Sequence, residues 1–234
     1  MPPIEDAFPL VRITADALRD GSLIAAARSR SLDGIALRSD AEIEASLDAM
    51  LAAHPAGEDV WLFGYGSLMW NPAMHYDESK PGVVRGWHRA YCLWAHMGRG
   101  SPEAPGLMLA LDRGGSSAGM LFRFAAATAR VELLLPWRRE MFTGGYLARW
   151  VRVDTPTGPV RAATFVANHA FPRYAGRLDE AVIAAHIAVA AGSLGTCVEY
   201  LAHTLAVLRA HGRTDHRLER LERLVAGASA APQV

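Results

Sequence analysis

The stretch WLFGYGSLMW, residues 61–70, places Gly64-Tyr65-Gly66-Ser67 in the middle of an otherwise apolar run. A strand that only filled a core would carry branched aliphatic residues there. Glycine admits positive φ and close approach of another group to the main chain, so this strand is expected to break where it should be most buried. Two outcomes fit the pattern. One is a nest of outward N–H groups that holds an anion or oxyanion; the other is a plain β-bulge in a curved sheet. Named alternatives fail in detail. A dinucleotide fingerprint needs glycine at Met69 and a helix where Asn71-Pro72 stands. A phosphate loop needs Gly-Lys-Ser/Thr, and a nucleophile elbow needs glycines where Ser67 has Tyr65 and Met69. Ser67 therefore reads as a hydrogen-bonding residue.

Outward from this stretch, the chain turns to strands. DVWLFGYGSLMW, GVVRGWHRAYCLWAH, GLMLALD, AGMLFRF, GYLARWVRVDT and VRAATFVAN are aromatic, β-branched or strongly apolar, and the breakers NPAM, GRGSPEAPG, DRGGSS and TPTGP separate them. Six strands joined mostly by short turns predict an α+β protein built on a mixed, mostly antiparallel β-barrel with helices around it. One helical insertion interrupts them at residues 128–145, and Pro136 is expected to break it.

The remaining helices lie at the ends. Ser39 and Glu42 have capping-box spacing ahead of Ile43, Leu47, Met50 and Leu51. Thr196 and Glu199 repeat the device ahead of a helix reaching His211, and an amphipathic helix follows Asp215. The expected organisation is a helical extension over residues 1–58, a domain over 59–225 and a flexible tail over 226–234.

The chain has 234 residues, 51% hydrophobic, with 24 basic and 24 acidic side chains. Balanced charge argues against a nucleic-acid partner, and no run is long and apolar enough for a membrane span. The acidic start, MPPIEDAFPL, does not read as a secretory leader, and Cys92 and Cys197 stand far apart, so a reduced cytoplasmic protein is expected. The histidines have no metal-ligand spacing.

Glu140 is the second candidate residue. At helical spacing it falls among Leu133, Trp137 and Met141, while Arg138 and Arg139 turn elsewhere. A carboxylate on an apolar face has its pKa raised, which suits a general acid/base. A buried glutamate paired with a distant arginine fits the same pattern. Tyr174, in PRYAG, is a loop residue that could stand over a site or turn a corner.

FGYGSLMWNP, GWHRAYCLW, GSPEAPGLMLALDRGG, WRREMFTGGYL and GSLGTCVEYL occur in this order, and together they resemble the ChaC-type γ-glutamylcyclotransferase family over residues 59–225 or so. The resemblance implies a cofactor-free, metal-free cleavage of glutathione to 5-oxoproline and Cys-Gly. It implies that Tyr65, Gly66, Ser67 and Leu68 cradle the γ-glutamyl group and that Glu140 is the acid/base. It further implies that Tyr146 and Tyr174 contact the substrate. Met-Phe-Thr between Glu140 and Gly144 makes a longer gap than the compact form of some members. In this chemistry the substrate's own α-amine attacks its γ-carbonyl, and holding that rotamer can supply effective molarities of order 10⁵ M. A small molecule is the expected partner. The competing readings are another γ-glutamyl amino acid or amine as substrate, or a non-catalytic binding module, ranked last because Glu140 is present.

Overall fold

The structure, a computed structural model, describes residues 13–29 and 35–230. Residues 1–12 and 30–34 of the expected extension and residues 231–234 of the expected tail lie outside the described residues.

The chain forms two compact units. The larger, Ile13–Ala90 with Ala110–Pro172, carries helices α1 (Ala15–Arg19), α2 (Ser22–Arg28) and α3 (Asp40–Ala52), then strand β1 (Val60–Gly64). Strands β2 (Glu78–Ala95) and β3 (Gly106–Phe124) run through both units, and α4 (Ala129–Met141), β4 (Tyr146–Thr155) and β5 (Gly158–Ala167) complete the larger one. The strands close a barrel in the order β1-β3-β2-β4-β5, with β5 also meeting β3. β1 lies antiparallel to β3 with Phe63 opposite Leu121, and β4 and β5 form a hairpin from Tyr146↔Ala167 to Thr155↔Gly158. β5 meets β1 and β3 in the parallel sense, at Leu62↔Ala163 and Leu111↔Val166. The fold is thus α+β with a mixed, mostly antiparallel barrel, as the strand pattern predicts.

Two expectations need correction. GLMLALD and AGMLFRF are one strand, because Gly114 and Gly115 adopt φ of 95° and 67° and let β3 continue through DRGGSS instead of ending there. Pro136 does not interrupt α4, which runs from Ala129 to Met141 through it. Proline lacks an amide hydrogen, but α4 is anchored on both sides of it. Trp137 Nε1 donates to Ser46 Oγ of α3 at 3.1 Å, and Arg130 binds Asp48 in a bidentate pair at 2.7 and 3.0 Å. The Ser39–Glu42 capping box at the start of α3 is present. Leu62, Phe63, Leu121, Phe124, Trp137 and Phe165 form the buried core of this unit.

The smaller unit comprises residues 91–109 and 173–230 among those described. Its helices are α5 (Glu180–Val189), α6 (Cys197–Ala210) and α7 (His216–Ala230), with a short hairpin of β6 (Ala191–Gly192) and β7 (Gly195–Thr196) before α6. The Thr196–Glu199 capping box starts α6 as its sequence predicts. Ile183, Ile187, Leu201, Leu205, Leu218 and Leu221 are buried, and Arg220 grips Glu180 at 2.6 and 3.0 Å. Among the described residues no helix is long and apolar enough to cross a membrane.

Candidate active site

β1 ends at Gly64, and the chain doubles back at once. A Cβ at Gly64 would stand 2.9 Å from Leu68 Cβ and 3.3 Å from the Phe122 ring, so the return requires glycine. Residues Ser67–Met69 make a 3-10 turn, closed by Met69 N to Gly66 O at 2.9 Å and Asn71 N to Ser67 O at 2.8 Å. The amides of Gly66, Ser67 and Leu68 lie past the last rung of the β1 ladder, and among the described residues they have no acceptor within the protein. Their orientation follows from what holds the carbonyls. Arg89, buried in β2, donates from Nε to Tyr65 O at 2.6 Å and also bonds Ala118 O. In a planar trans peptide the N–H points opposite to the C=O, so fixing Tyr65 O turns the Gly66 N–H away from Arg89. The Tyr65 hydroxyl donates to Phe165 O at 2.7 Å, which pins the loop to β5.

Glu140 sits on the apolar face of α4 among Leu133, Trp137 and Met141, all buried. Arg139 does not turn away from it. Its Nε lies 3.1 Å from Glu140 Oε1, and both side chains are nearly enclosed, at 7% and 14% exposure. The same guanidinium donates from Nη1 to Asn71 O at 2.6 Å, and Asn71 is the residue whose amide closes on Ser67. Burial pushes the Glu140 pKa above the usual carboxylate range, and the attraction of Arg139 opposes that rise without cancelling it. The buried glutamate paired with an arginine therefore exists, but the arginine is the adjacent residue, and the pair is coupled to the loop.

Tyr146 opens β4 opposite Ala167, directly after Gly144 at φ 78° and Gly145. Asn168 fixes that corner by donating from Nδ2 to Gly144 O at 2.9 Å, while its amide donates to Gly145 O at 2.9 Å. Tyr65, Gly66, Ser67, Leu68, Glu140 and Tyr146 thus all belong to the larger unit. Tyr174 belongs to the smaller one, where it bridges Leu93 while Ala175 N donates to Cys92 O at 2.8 Å.

Sequence reasoning missed Arg89 and Arg139. Arg89 shares strand parity with Trp87 and Tyr91, so a charge in an aromatic row was a readable signal. Among the described residues no cluster of His, Cys, Asp and Glu could hold a metal ion.

A family model described as ChaC-like protein matches residues 60–228. The chain is 48% identical over 158 residues to the glutathione-specific gamma-glutamylcyclotransferase of Escherichia coli (strain K12), covering 67% of this chain and 68% of that relative. It is 35% identical over 166 residues to glutathione-specific gamma-glutamylcyclotransferase 1 of Rattus norvegicus, covering 67% and 75% of the two chains. Among solved structures, the crystal structure of a glutathione-specific γ-glutamyl cyclotransferase from yeast superimposes with a TM-score of 0.68 at 20% identity. That match covers 74% of this chain and 97% of the other. At that identity the likeness establishes the fold.

Proposed function

Since this chain belongs to the ChaC-like family, we propose that it is a γ-glutamylcyclotransferase that cleaves glutathione to 5-oxoproline and Cys-Gly. The observation that carries the reading is the joint arrangement of a buried carboxyl of raised pKa and a loop with consecutive unclaimed amides, linked through Arg139. The γ-glutamyl group lies on Tyr65–Leu68, where the Gly66, Ser67 and Leu68 amides receive the oxyanion that develops on the γ-carbonyl. Glu140 takes a proton from the substrate α-ammonium. The freed amine attacks the γ-carbonyl, the new C–N bond closes the five-membered ring, and the old amide C–N bond breaks. Glu140 returns that proton to the departing cysteinyl nitrogen, then takes the second surplus proton from the ring nitrogen and passes it to the released amine. A neutral lactam and an ammonium result, the two products together contain the atoms of the substrate, and no water is consumed. A raised pKa suits both halves of this cycle, since the driving force for giving and taking a proton is best balanced near the working pH.

In this reading Tyr146 contacts the substrate, and residues 59–225 are the catalytic part, between the 1–58 extension and the 226–234 tail. No metal or cofactor takes part. The protein works in the cytoplasm, where Cys92 and Cys197, both buried thiols, stay reduced.

The test is mass-spectrometric detection of 5-oxoproline and Cys-Gly from reduced glutathione, with Glu140→Gln run in parallel. Product from the wild type and none from a folded E140Q is expected. Product from both would remove Glu140 from its role, and product only from other γ-glutamyl compounds would change the substrate.

A further inference from the structure

The Arg139 side chain is almost wholly enclosed, at 7% exposure. Burying a guanidinium is expensive unless its donors are engaged. Here Nε faces the Glu140 carboxylate at 3.1 Å, and Nη1 donates to the main-chain carbonyl of Asn71 at 2.6 Å. The planar fork fixes the angle between those two bonds. One acceptor is the candidate base; the other ends the turn that begins at Gly66.

Resting on the proposed function, we infer that Arg139 is a positioning residue: one side chain holds the Glu140 carboxylate and the substrate-binding loop in fixed register, so that proton acceptor and oxyanion amides reach one substrate together. The neighbouring arginines of α4 do other work. Arg138 donates from Nη1 to the carbonyls of Leu18 and Arg19, each at 3.0 Å, and so holds α1. Arg130 is committed to Asp48 and Glu44 on α3.

The other charged groups around α4 are also accounted for. Glu44 reaches Arg138 at 3.7 Å, Arg19 reaches Glu132 at 3.5 Å, and Arg38 lies against Met141 Sδ at 4.0 Å. From β4 come Tyr146 at its start and Arg149 and Arg152 at exposed positions. Arg139 is the charge whose attraction opposes the effect of burial on Glu140.

The test compares wild type with Arg139→Lys and Arg139→Gln. Lysine keeps a positive charge near the carboxylate but lacks the fork, whereas glutamine loses both. In R139Q the acidic limb of the kcat/KM profile should move to higher pH, because the desolvated carboxylate loses its opposing attraction. Its plateau kcat should fall by ~10- to 100-fold, the scale of a small misplacement of reacting groups. R139K should restore the limb while leaving kcat depressed. A folded R139Q with an unchanged limb and unchanged kcat overturns the inference, even if its melting temperature drops.

A readout independent of turnover is the ¹³C NMR titration of the Glu140 carboxyl, assigned by its absence in E140Q. R139Q should titrate at higher pH than wild type, with R139K near wild type; one midpoint for all three also overturns the inference. E140Q separates the two levels. If E140Q retains activity, the acid/base reading fails, while the titration still decides whether Arg139 governs this carboxyl.

Discussion

Replacing Glu140 with glutamine should stabilise the protein while stopping turnover, and the size of the gain should depend on pH in a specified way. Burial raises the pKa of this carboxyl in the folded state, so the native protein binds the Glu140 proton more tightly than the unfolded chain does. Below the unfolded carboxylate pKa both states are protonated, and the neutral carboxylic acid and the glutamine amide that replaces it are electrically alike. As pH rises from that value toward the folded-state pKa, the unfolded chain releases its proton first, and the wild type loses stability that the glutamine variant keeps. Above the folded pKa the gap is constant. Each tenfold difference in proton affinity between the two states is worth about 1.4 kcal/mol. In a chain of this size each kcal/mol moves the melting temperature by about 2–4 °C. The assay is differential scanning calorimetry of both proteins from acid to neutral pH. Melting temperatures should converge at acid pH and separate in favour of E140Q as pH increases. A gap that opens in the opposite sense would mean that the Arg139 ion pair outweighs burial. Glu140 would then be a structural carboxylate of lowered pKa, and its case as an acid/base would fail.

Further outcomes test the loop. Tyr65→Phe removes the donor to Phe165 O and with it the tie of the loop to β5, at a cost of about 1–3 kcal/mol, so calorimetry should show a lower melting temperature and steady-state kinetics a higher KM for glutathione. Gly119→Ala would place a Cβ 2.3 Å from Gly64 O and 2.6 Å from the Phe63 ring. Overpacking of this kind costs about 1–3 kcal/mol, and the backbone atom that must yield adjoins Tyr65. Both a lower melting temperature and a higher KM for glutathione are therefore expected in steady-state kinetics, and neither changing would show that the loop is not held from beneath.

What was legible in the sequence was whatever depends on periodicity or on one residue's fixed chemistry. Ser39 with Glu42 and Thr196 with Glu199 mark helix starts because their side chains can reach only the amides three residues away. Glu140 announced itself because Leu133, Trp137 and Met141 define a face at helical spacing and a carboxylate on it is anomalous. What stayed hidden depends on a choice between conformations that one residue allows equally. Gly114-Gly115 can end a strand or bend it, and only the surrounding barrel selects the bend. Pro136 ordinarily stops a helix, and the ties of α4 to α3 on either side of it overrule that preference. The direction of a long side chain is equally unreadable: nothing in Arg138-Arg139 says that one reaches α1 and the other folds back on Glu140.

The unclaimed amides of residues 66–68 would be unstable if they simply lay exposed in a mobile turn, since any shift of the chain would return them to internal acceptors. Two enclosed arginines prevent that by holding carbonyls at the two ends of the segment, Arg89 at Tyr65 and Arg139 at Asn71. A hydrogen bond from a charged donor to a buried carbonyl is among the stronger polar contacts available, and it fixes a peptide plane without using any amide of that plane. Lysine would hold either oxygen less directionally, because its ammonium imposes no fork geometry. The amides are thus oriented before substrate arrives, which is the condition under which oriented dipoles stabilise a developing charge with little reorganisation. At Glu140 the same arrangement costs stability, because burial disfavours its charged form. That cost falls on the group whose raised proton affinity the chemistry needs, so the calorimetric gap and the loss of turnover in E140Q should appear in one variant and from one cause.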